Sequence, residues 1–378
     1  MQVTVRRPVG IARLNALRHV AALIAITAAT ACASDGASST APESASMVDG
    51  VVTERDTLAP VPLTLRTYDG SGESVHPDFV APGPTWGKGF SYLVTTPYPG
   101  GVDKHEDPSL YASTDNESWD AAPGAPFPLV KPKAGFLSDP DAVFDPDRNQ
   151  LLVFYRHAIS KKQDNIQLIT STDGTVWSEP SRLLSGGFTS ILSPSVVRRS
   201  SGVWMMWSVN ASGGCHGKST LVQLRRSANG VTWSAPESVS LPLPAGAYAW
   251  HIDVQWIPTR NEYWALFPVK SPGNCATRQL MIATSRDGVS WAVADKPVLK
   301  AGAIREFEQV VYRSTFSYEP VTDEISFWFS GARQVGKRRV WSLATQRRTR
   351  ADVFAVGPRA PMEALTAKAG DLSTFDPP

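Results

Sequence analysis

Apolar and polar side chains alternate along Asn165-Ile-Gln-Leu-Ile-Thr170, Leu221-Val-Gln-Leu-Arg225 and Gln279-Leu-Met-Ile-Ala-Thr284. A period of two with β-branched residues predicts half-buried strands. Each segment runs into a short Ser-containing turn that closes on a tryptophan. The turns are Ser113-Thr-Asp-Asn-Glu-Ser-Trp119, Ser171-Thr-Asp-Gly-Thr-Val-Trp177, Ser227-Ala-Asn-Gly-Val-Thr-Trp233 and Ser285-Arg-Asp-Gly-Val-Ser-Trp291. The tryptophans recur at intervals of 58, 56 and 58 residues, so the fold is built from copies of one unit. The Asp-Gly and Asn-Gly pairs supply the positive φ that a tight hairpin needs. Upstream of each turn lie two more strand-like runs, such as Ala142-Val-Phe and Leu151-Leu-Val-Phe-Tyr155, or Ser195-Val-Val and Val203-Trp-Met-Met-Trp207. Four antiparallel strands in a unit of this length describe a propeller blade. The span 61–350 therefore predicts an all-β, five-bladed β-propeller. The fifth unit lacks the turn and its Trp. Its outermost strand is expected from the N-terminal segment Val61-Pro-Leu-Thr-Leu-Arg-Thr67, or alternatively from a tail strand near Val353 to Val356 in the C-terminal tail 351–378.

The pattern before residue 61 is different. Arg6, Arg7, Arg13 and Arg18 precede an apolar run from Val20 and then small residues up to Cys32, which reads as an export signal over residues 1–31. The run is too short and too rich in Ala for a spanning helix. Ala29-Thr-Ala-Cys32 resembles a bacterial lipobox, with Cys32 as the lipidated residue; an ordinary signal peptide is the alternative. Residues 32–60 are small and polar and predict a flexible tether. The chain is thus expected to be exported and held to the cell envelope by an N-terminal lipid, or secreted. The 378-residue chain carries a net charge of +2, with 12 Trp, 30 Pro and 28 Gly, a composition that suits strands and turns. Its one basic cluster, Arg333 to Arg350, reads as a solvated strand face, and nucleic acid is not expected as a partner of an exported chain.

Superimposing the first strand of each unit gives His76-Pro-Asp78, Asp139-Pro-Asp141, Ser193-Pro-Ser195, His251-Ile-Asp253 and Glu306-Phe-Glu308. Positions one and three share a side of a regular strand, so Asp78, Asp141, Asp253 and Glu308 are expected to converge at the mouth of the central channel. Converging acids repel, and at least one is expected to hold its proton near neutral pH. His76, His251, Arg156 and His157 are candidate counter-charges. Alternatively, each acid ties down a neighbouring backbone turn, or calcium sits on the channel axis among the carboxylate oxygens; otherwise no cofactor and no contiguous metal motif is implied.

The Ser-x-Asp-Gly-x-x-Trp turns at Trp177 and Trp291, with Asp139-Pro-Asp-Ala-Val-Phe-Asp-Pro-Asp147 followed by Leu152-Val-Phe-Tyr155, resemble the five-bladed propellers of glycoside hydrolase families 43 and 32. The resemblance implies a carboxylate base, a second Asp that tunes it and a Glu acid, acting on an oligo- or polysaccharide. Asp78 would activate water, Asp253 or Glu308 would protonate the leaving oxygen, and Asp139 and Asp141 would set their pKa values. The family's Glu has no clean counterpart, since Leu192-Ser-Pro194 stands where it would fall. A non-catalytic glycan-binding or scaffold propeller is therefore the rival reading. Tyr248, Trp250 and Trp256 are expected to stack on sugars. The polar loop Thr96 to Ser109 would bring Asp103, His105, Glu106 and Asp107 to the same mouth. Loops carrying Cys215 and Cys275 fall at equivalent places in neighbouring units, and export predicts a disulfide between them, leaving Cys32 for lipid. A monomer is expected.

Overall fold

A computed structural model describes residues 59–355. The export signal, Cys32 and the tether up to residue 58, and the tail beyond residue 355, lie outside the described residues. Among the described residues no helix is long and apolar enough to cross a membrane.

Five antiparallel sheets form the blades of a propeller. Blade one runs Ser74–Val80, Ser91–Pro97, Ser109–Ser113 and Asp120–Ala121 from the inside outwards. Blade two is Phe136–Asp145, Gln150–Ser160, Gln163–Ser171 and Ser181–Gly187, and blade three is Leu192–Arg198, Trp204–Asn210, Leu221–Ser227 and Glu237–Ser238. In blade four the inner strand Asp253–Ile257, extended by Tyr248–Ala249, pairs with Glu262–Lys270. Gln279–Ser285 and the short outer pieces Ala292–Val293 and Leu299–Lys300 complete it. Blade five is Thr315–Glu319 and Val310–Val311, then Glu324–Val335 and Arg338–Thr349. Its outer strand is Val61–Leu63, pairing Val61 with Thr345 and Leu63 with Leu343. The N-terminal segment therefore closes the ring, as expected from the missing turn and Trp of the fifth unit. The tail alternative does not form: Arg350–Val353 is a single helical turn capped by Thr349, and Val356 lies outside the described residues.

Each second strand contributes a fully buried aromatic, Phe154, Trp207, Phe267 and Trp328 among them. The core therefore lies between blades, each such side chain gaining about 1.5–3 kcal/mol by leaving water. The recurrent turn tryptophans join the same seams. Trp119 packs edge-on against Trp328 of blade five at 6.0 Å, Trp233 against Phe154 of blade two at 6.4 Å and Trp291 against Trp207 of blade three at 6.2 Å.

The turn carboxylates hold the hairpins. Asp287 Oδ1 accepts from the backbone N–H of Val289 and Ser290, each at 2.8 Å, and Asp173 does the same for Thr175 and Val176. Gly288 is irreplaceable on two counts. Its φ is +76°, and a Cβ there would meet Trp207 Cζ2 at 2.6 Å. The backbone donors pull Asp173 and Asp287 down to about 2. Their contribution to stability is present above the ordinary Asp value and is lost as pH falls towards 2. Asp287→Ala is expected to lower the urea unfolding midpoint at pH 7, by a margin that narrows below pH 3; a margin unchanged with pH would overturn this account.

Candidate active site

The inner strands of blades one to three share an irregularity that decides where side chains point. Pairing slips by one residue between Val75 and Asp78, between Ser138 and Asp141, and between Leu192 and Ser195. At each slip the position-one residue is left-handed: φ is 54° at His76, 51° at Asp139 and 52° at Ser193. The proline that follows each has no N–H to leave unpaired in the bulge. Simple alternation, which put positions one and three on one side, therefore fails. His76 and Asp139 at position one line the cavity at the N-terminal ends of the inner strands, while Ser193 Oγ donates to Ile252 O of the next blade. Position three turns into the channel wall.

Position three is occupied all the way round. Asp78 Oδ2 accepts from Ala142 N at 2.6 Å, Asp141 Oδ2 from Val196 N at 3.0 Å and Ser195 Oγ from Val254 N at 2.8 Å. Thr315 Oγ1 donates to Asp253 Oδ2 at 3.1 Å and accepts from Phe79 N at 3.4 Å. Each side chain thus ties its blade to the next, and Asp78, Asp141 and Asp253 line the cavity at the opposite, C-terminal mouth. Arg313, fully buried, fills the axis. Its Nη2 lies 3.7 Å from Asp78 Oδ1 and 3.6 Å from Asp141 Oδ1, and Nη1 donates to Pro140 O. Arg313 stands where a calcium ion on the axis was the alternative. Burial pushes all three Asp carboxyls up, against the pull of Arg313.

The alignment of the fifth unit is corrected by seven residues. Glu308 follows the short helical turn Arg305–Phe307 and is exposed; it does not join the ring, and Thr315 holds position three instead. The inner strand is Thr315–Glu319, joined by the tight connection Pro320–Asp323 to the next strand. A hairpin this short is the ordinary one, whereas pairing Val310-Val-Tyr312 with Ile325 left a gap of 12 residues. That gap was the available signal for Tyr312 and Arg313.

The N-terminal mouth opens into a cavity of about 680 Å³. Its floor holds His76, Asp139 and His251, whose ligand-type atoms all lie within 4.8 Å of one another. Asp139 Oδ1 is 2.9 Å from His251 Nδ1 and 3.6 Å from His76 Nε2. Among the described residues neither His76 Nε2 nor His251 Nε2 has a hydrogen-bond partner, and Asp139 Oδ1 and His251 Nδ1 have none beyond each other. Asp139 Oδ2 accepts from Ser138 Oγ at 2.9 Å, and Ser138 accepts from Arg156 Nη1 at 3.2 Å. Arg156 is itself held by Asp164 at 2.9 and 3.1 Å. On its other side His76 presents Nδ1 to Glu106 Oε1 at 3.2 Å and to Thr96 Oγ1 at 3.3 Å. Trp250 Nε1 donates to the Tyr312 hydroxyl at 3.3 Å, and Tyr98 closes the wall.

Burial governs the charges. It pushes His76 down to about 3 and lowers His251, so both imidazoles are neutral at pH 7. Burial opposes charge on Asp139 too, but attraction to the two imidazoles when they are protonated, with the His251 hydrogen bond and the charge of Arg313, outweighs it and holds the carboxyl well below the usual range. Glu106 is pushed well above its ordinary value by burial and then by the charge of Asp139. Tyr312 is raised by burial.

Among the expected binding residues, His76, Glu106, Arg156, Trp250 and His251 line this cavity. His105 does not; its carbonyl accepts from Tyr68 Oη at 3.0 Å. His157 also falls outside, because it follows Arg156 on a regular strand and so faces the other side, with Nε2 2.8 Å from Ala134 O. Trp256 lines the opposite cavity. Tyr98 and Ser138 had no sequence signal beyond their neighbours.

A disulfide joins Cys215 and Cys275, 4.8 Å apart at Cα, and Gly213 to His216 form part of the rim. Lys270 reinforces the join: buried, and pushed down by burial to about 8, its Nζ donates to Cys215 O and Gly217 O. Reducing this link, which spans 60 residues, is expected to cost about 2–4 kcal/mol. Urea unfolding with and without dithiothreitol, set against Cys275→Ser, checks this; equal midpoints would refute it.

No family model matches the chain. It is 28% identical over 320 aligned positions to an A type blood N-acetyl-α-D-galactosamine deacetylase of Flavonifractor plautii, taking in 72% of this chain and 40% of that protein. The chain thus spans about two fifths of that relative's length. A crystal structure of an N-acetylgalactosamine deacetylase from F. plautii, in complex with blood group B trisaccharide, superimposes with a TM-score of 0.73 at 22% identity, over 79% of this chain and 97% of that one. A thermostable family-43 glycoside hydrolase gives 0.53 at 11% identity, over 76% and 96%. The fold is that of carbohydrate-active five-bladed propellers, as the turns and the inner-strand motif implied.

Proposed function

We propose that this chain is a carbohydrate-active enzyme that removes the acyl group from an N-acylated amino sugar. The observation that carries the reading is the convergence of His76, Asp139 and His251, buried together on the cavity floor, their facing atoms having no partner beyond this group among the described residues. Ligand atoms sharing one ion at about 2.0–2.2 Å lie roughly 3.0–3.5 Å apart, close to the 2.9 and 3.6 Å separations found here. Two neutral imidazoles and an ionised carboxylate suit a divalent transition-metal ion rather than calcium, which prefers oxygen. Such an ion, when bound, supplies polarisation of the acyl carbonyl and a lowered pKa for water.

The chain's own groups then divide the remaining work. His76 Nδ1, 3.3 Å from Thr96 Oγ1 and 3.2 Å from Glu106 Oε1, would carry the ring proton, which leaves the lone pair on Nε2, facing Asp139. Ser138 and Arg156 hold the Asp139 carboxylate so that Oδ1 faces the cavity. The Tyr312 hydroxyl, whose oxygen takes the Trp250 N–H, keeps its own proton to donate to an oxygen developing negative charge. Trp250 supplies an aromatic wall for the sugar. In the net reaction the oxygen of water joins the acyl carbon, the carbon–nitrogen bond breaks and the amine leaves protonated. The likeness to the deacetylase of F. plautii supports this choice.

Glycosidic cleavage has one feature in its favour: burial pushes the Glu106 carboxyl well above the usual range while Asp139 beside it is held well below. The His76 ring stands between the two, touching Glu106 through Nδ1 and Asp139 through Nε2. The space in which a glycosidic oxygen would need both acids is therefore filled. Export and anchoring through Cys32 complete the proposal, supported by the charged, apolar and small-residue zones of residues 1–32; Cys32→Ala should release the protein from the membrane fraction.

Acetate and reducing ends released from N-acetylated oligosaccharides would be measured together, before and after chelation and on adding zinc or manganese. Acetate release that chelation stops and metal restores is expected. Reducing ends without acetate would establish the glycosidase, and glycan binding without either product would leave a binding propeller.

A further inference from the structure

The charges around the cavity are unevenly distributed, and the imbalance bears on which sugars fit. Its two carboxyl groups, Asp139 and Glu106, are buried on the floor and face imidazoles. Of the lining cations, Arg156 is also buried, and its guanidinium is taken by Asp164 in a two-point pair and by Ser138. Asp164 accepts in addition from Thr189 N, so it has little left to offer the rim. Lys161 and Lys162 are different. They form the tip of the hairpin between Gln150–Ser160 and Gln163–Ser171, they line the cavity and they are exposed. Among the described residues no ion pair involves either one.

The tip is held in place over the cavity. Phe188 N donates to Lys162 O at 3.3 Å, and Lys162 N donates to Ser160 Oγ at 3.2 Å. Phe188 in turn lies against the Arg156 guanidinium, 5.3 Å from its ring centroid, with Phe136 at 5.2 Å on another side. Two ammonium groups are thus presented at one side of the entrance by a backbone fixed to the half-buried Phe188, which packs on the buried Arg156. A neutral oligosaccharide offers them hydroxyl acceptors but no opposite charge.

We infer that the site takes an anionic oligosaccharide, in which the sugar entering the cavity is flanked by one bearing a carboxylate or a sulfate that Lys161 and Lys162 read. This rests on the proposed function for the sugar on the floor and adds the chemistry of its neighbour. The recognition is electrostatic and solvent-exposed, so each lysine contributes modestly and the contribution is screened by salt.

The test measures binding by calorimetry, independently of turnover, using the whole protein. The probes are a neutral N-acetylated oligosaccharide, a uronate-containing one and a sulfated one of equal length, each at low and at physiological ionic strength. The wild type is expected to bind one or both anionic probes roughly three- to tenfold more tightly than the neutral one, the preference shrinking with salt. The ratio should collapse towards one in Lys161→Ala/Lys162→Ala and invert in Lys161→Glu/Lys162→Glu. The two anionic probes separate carboxylate from sulfate as the natural group. A wild type without preference, or a preference that survives charge reversal, would overturn the inference. Lack of acetate release from every probe would instead sink the deacetylase reading and leave this one standing or falling on the binding ratio.

Discussion

Asp139→Asn is expected to cut turnover at least about a hundredfold while the protein unfolds at nearly the wild-type urea concentration. The side chain keeps its shape, but the one formal negative charge on the cavity floor is lost, and an amide beside two neutral imidazoles can no longer balance a cation. Asp139 Oδ1 sits 2.9 Å from His251 and 3.6 Å from His76, so it is the atom common to both. Bound divalent metal per chain should fall with activity. Ser138 and Arg156 act at one remove, through Oδ2. Ser138→Ala should therefore leave metal bound and lower the rate by a smaller factor, on the order of ten. Retention of more than a tenth of the activity by Asp139→Asn would show that the chemistry lies elsewhere.

The second large effect is on stability. Arg313→Met is expected to cost about 3–5 kcal/mol at pH 7, because the three buried carboxyls at the channel wall lose their cation. Asp78, Asp141 and Asp253 are raised by burial even with Arg313 present, and without it they rise further. Acids raised above their unfolded values destabilise the fold at high pH, and that loss is recovered as pH falls through the folded values. The gap between variant and wild type should therefore narrow from pH 7 to pH 5 in urea unfolding. Asp141→Asn in the Arg313→Met background should recover part of the loss, and a variant as stable as wild type would refute the role of Arg313 as the axial counter-charge.

The repeat, the hairpin turns, the N-terminal closing strand and the paired cysteines were legible because each rests on local spacing. His76, Asp139 and His251 were also visible at the starts of inner strands, but as companions to the position-three acids. What hid the division of labour was a backbone event: a left-handed residue before proline leaves no mark in a hydrophobic pattern, yet it reverses which residue of His76-Pro-Asp78 faces the mouth. The position-three acids then serve as ties between blades, the alternative weighed for any single one of them. The fifth unit was misread because Glu306-Phe-Glu308 imitates the motif, whereas Arg313-Ser-Thr315 occupies its place with a cation and a hydroxyl. Glu106 could be read from its loop, since a propeller delivers that loop to the same mouth whatever its conformation.

The closing strand sets an order on the making of the molecule. Val61 to Leu63 leave the ribosome before any blade exists, but their partners, Leu343 to Thr345, come near the end of the propeller sequence. The first four blades can assemble as they emerge, each against its predecessor. The fifth waits for the whole chain, and until then an unpaired strand at one end and an open edge at the other are both available to neighbours. Ring closure is thus the last and most non-local step. A nascent chain halted before residue 338 should hold blades that resist protease while the segment around Val61 is still cut.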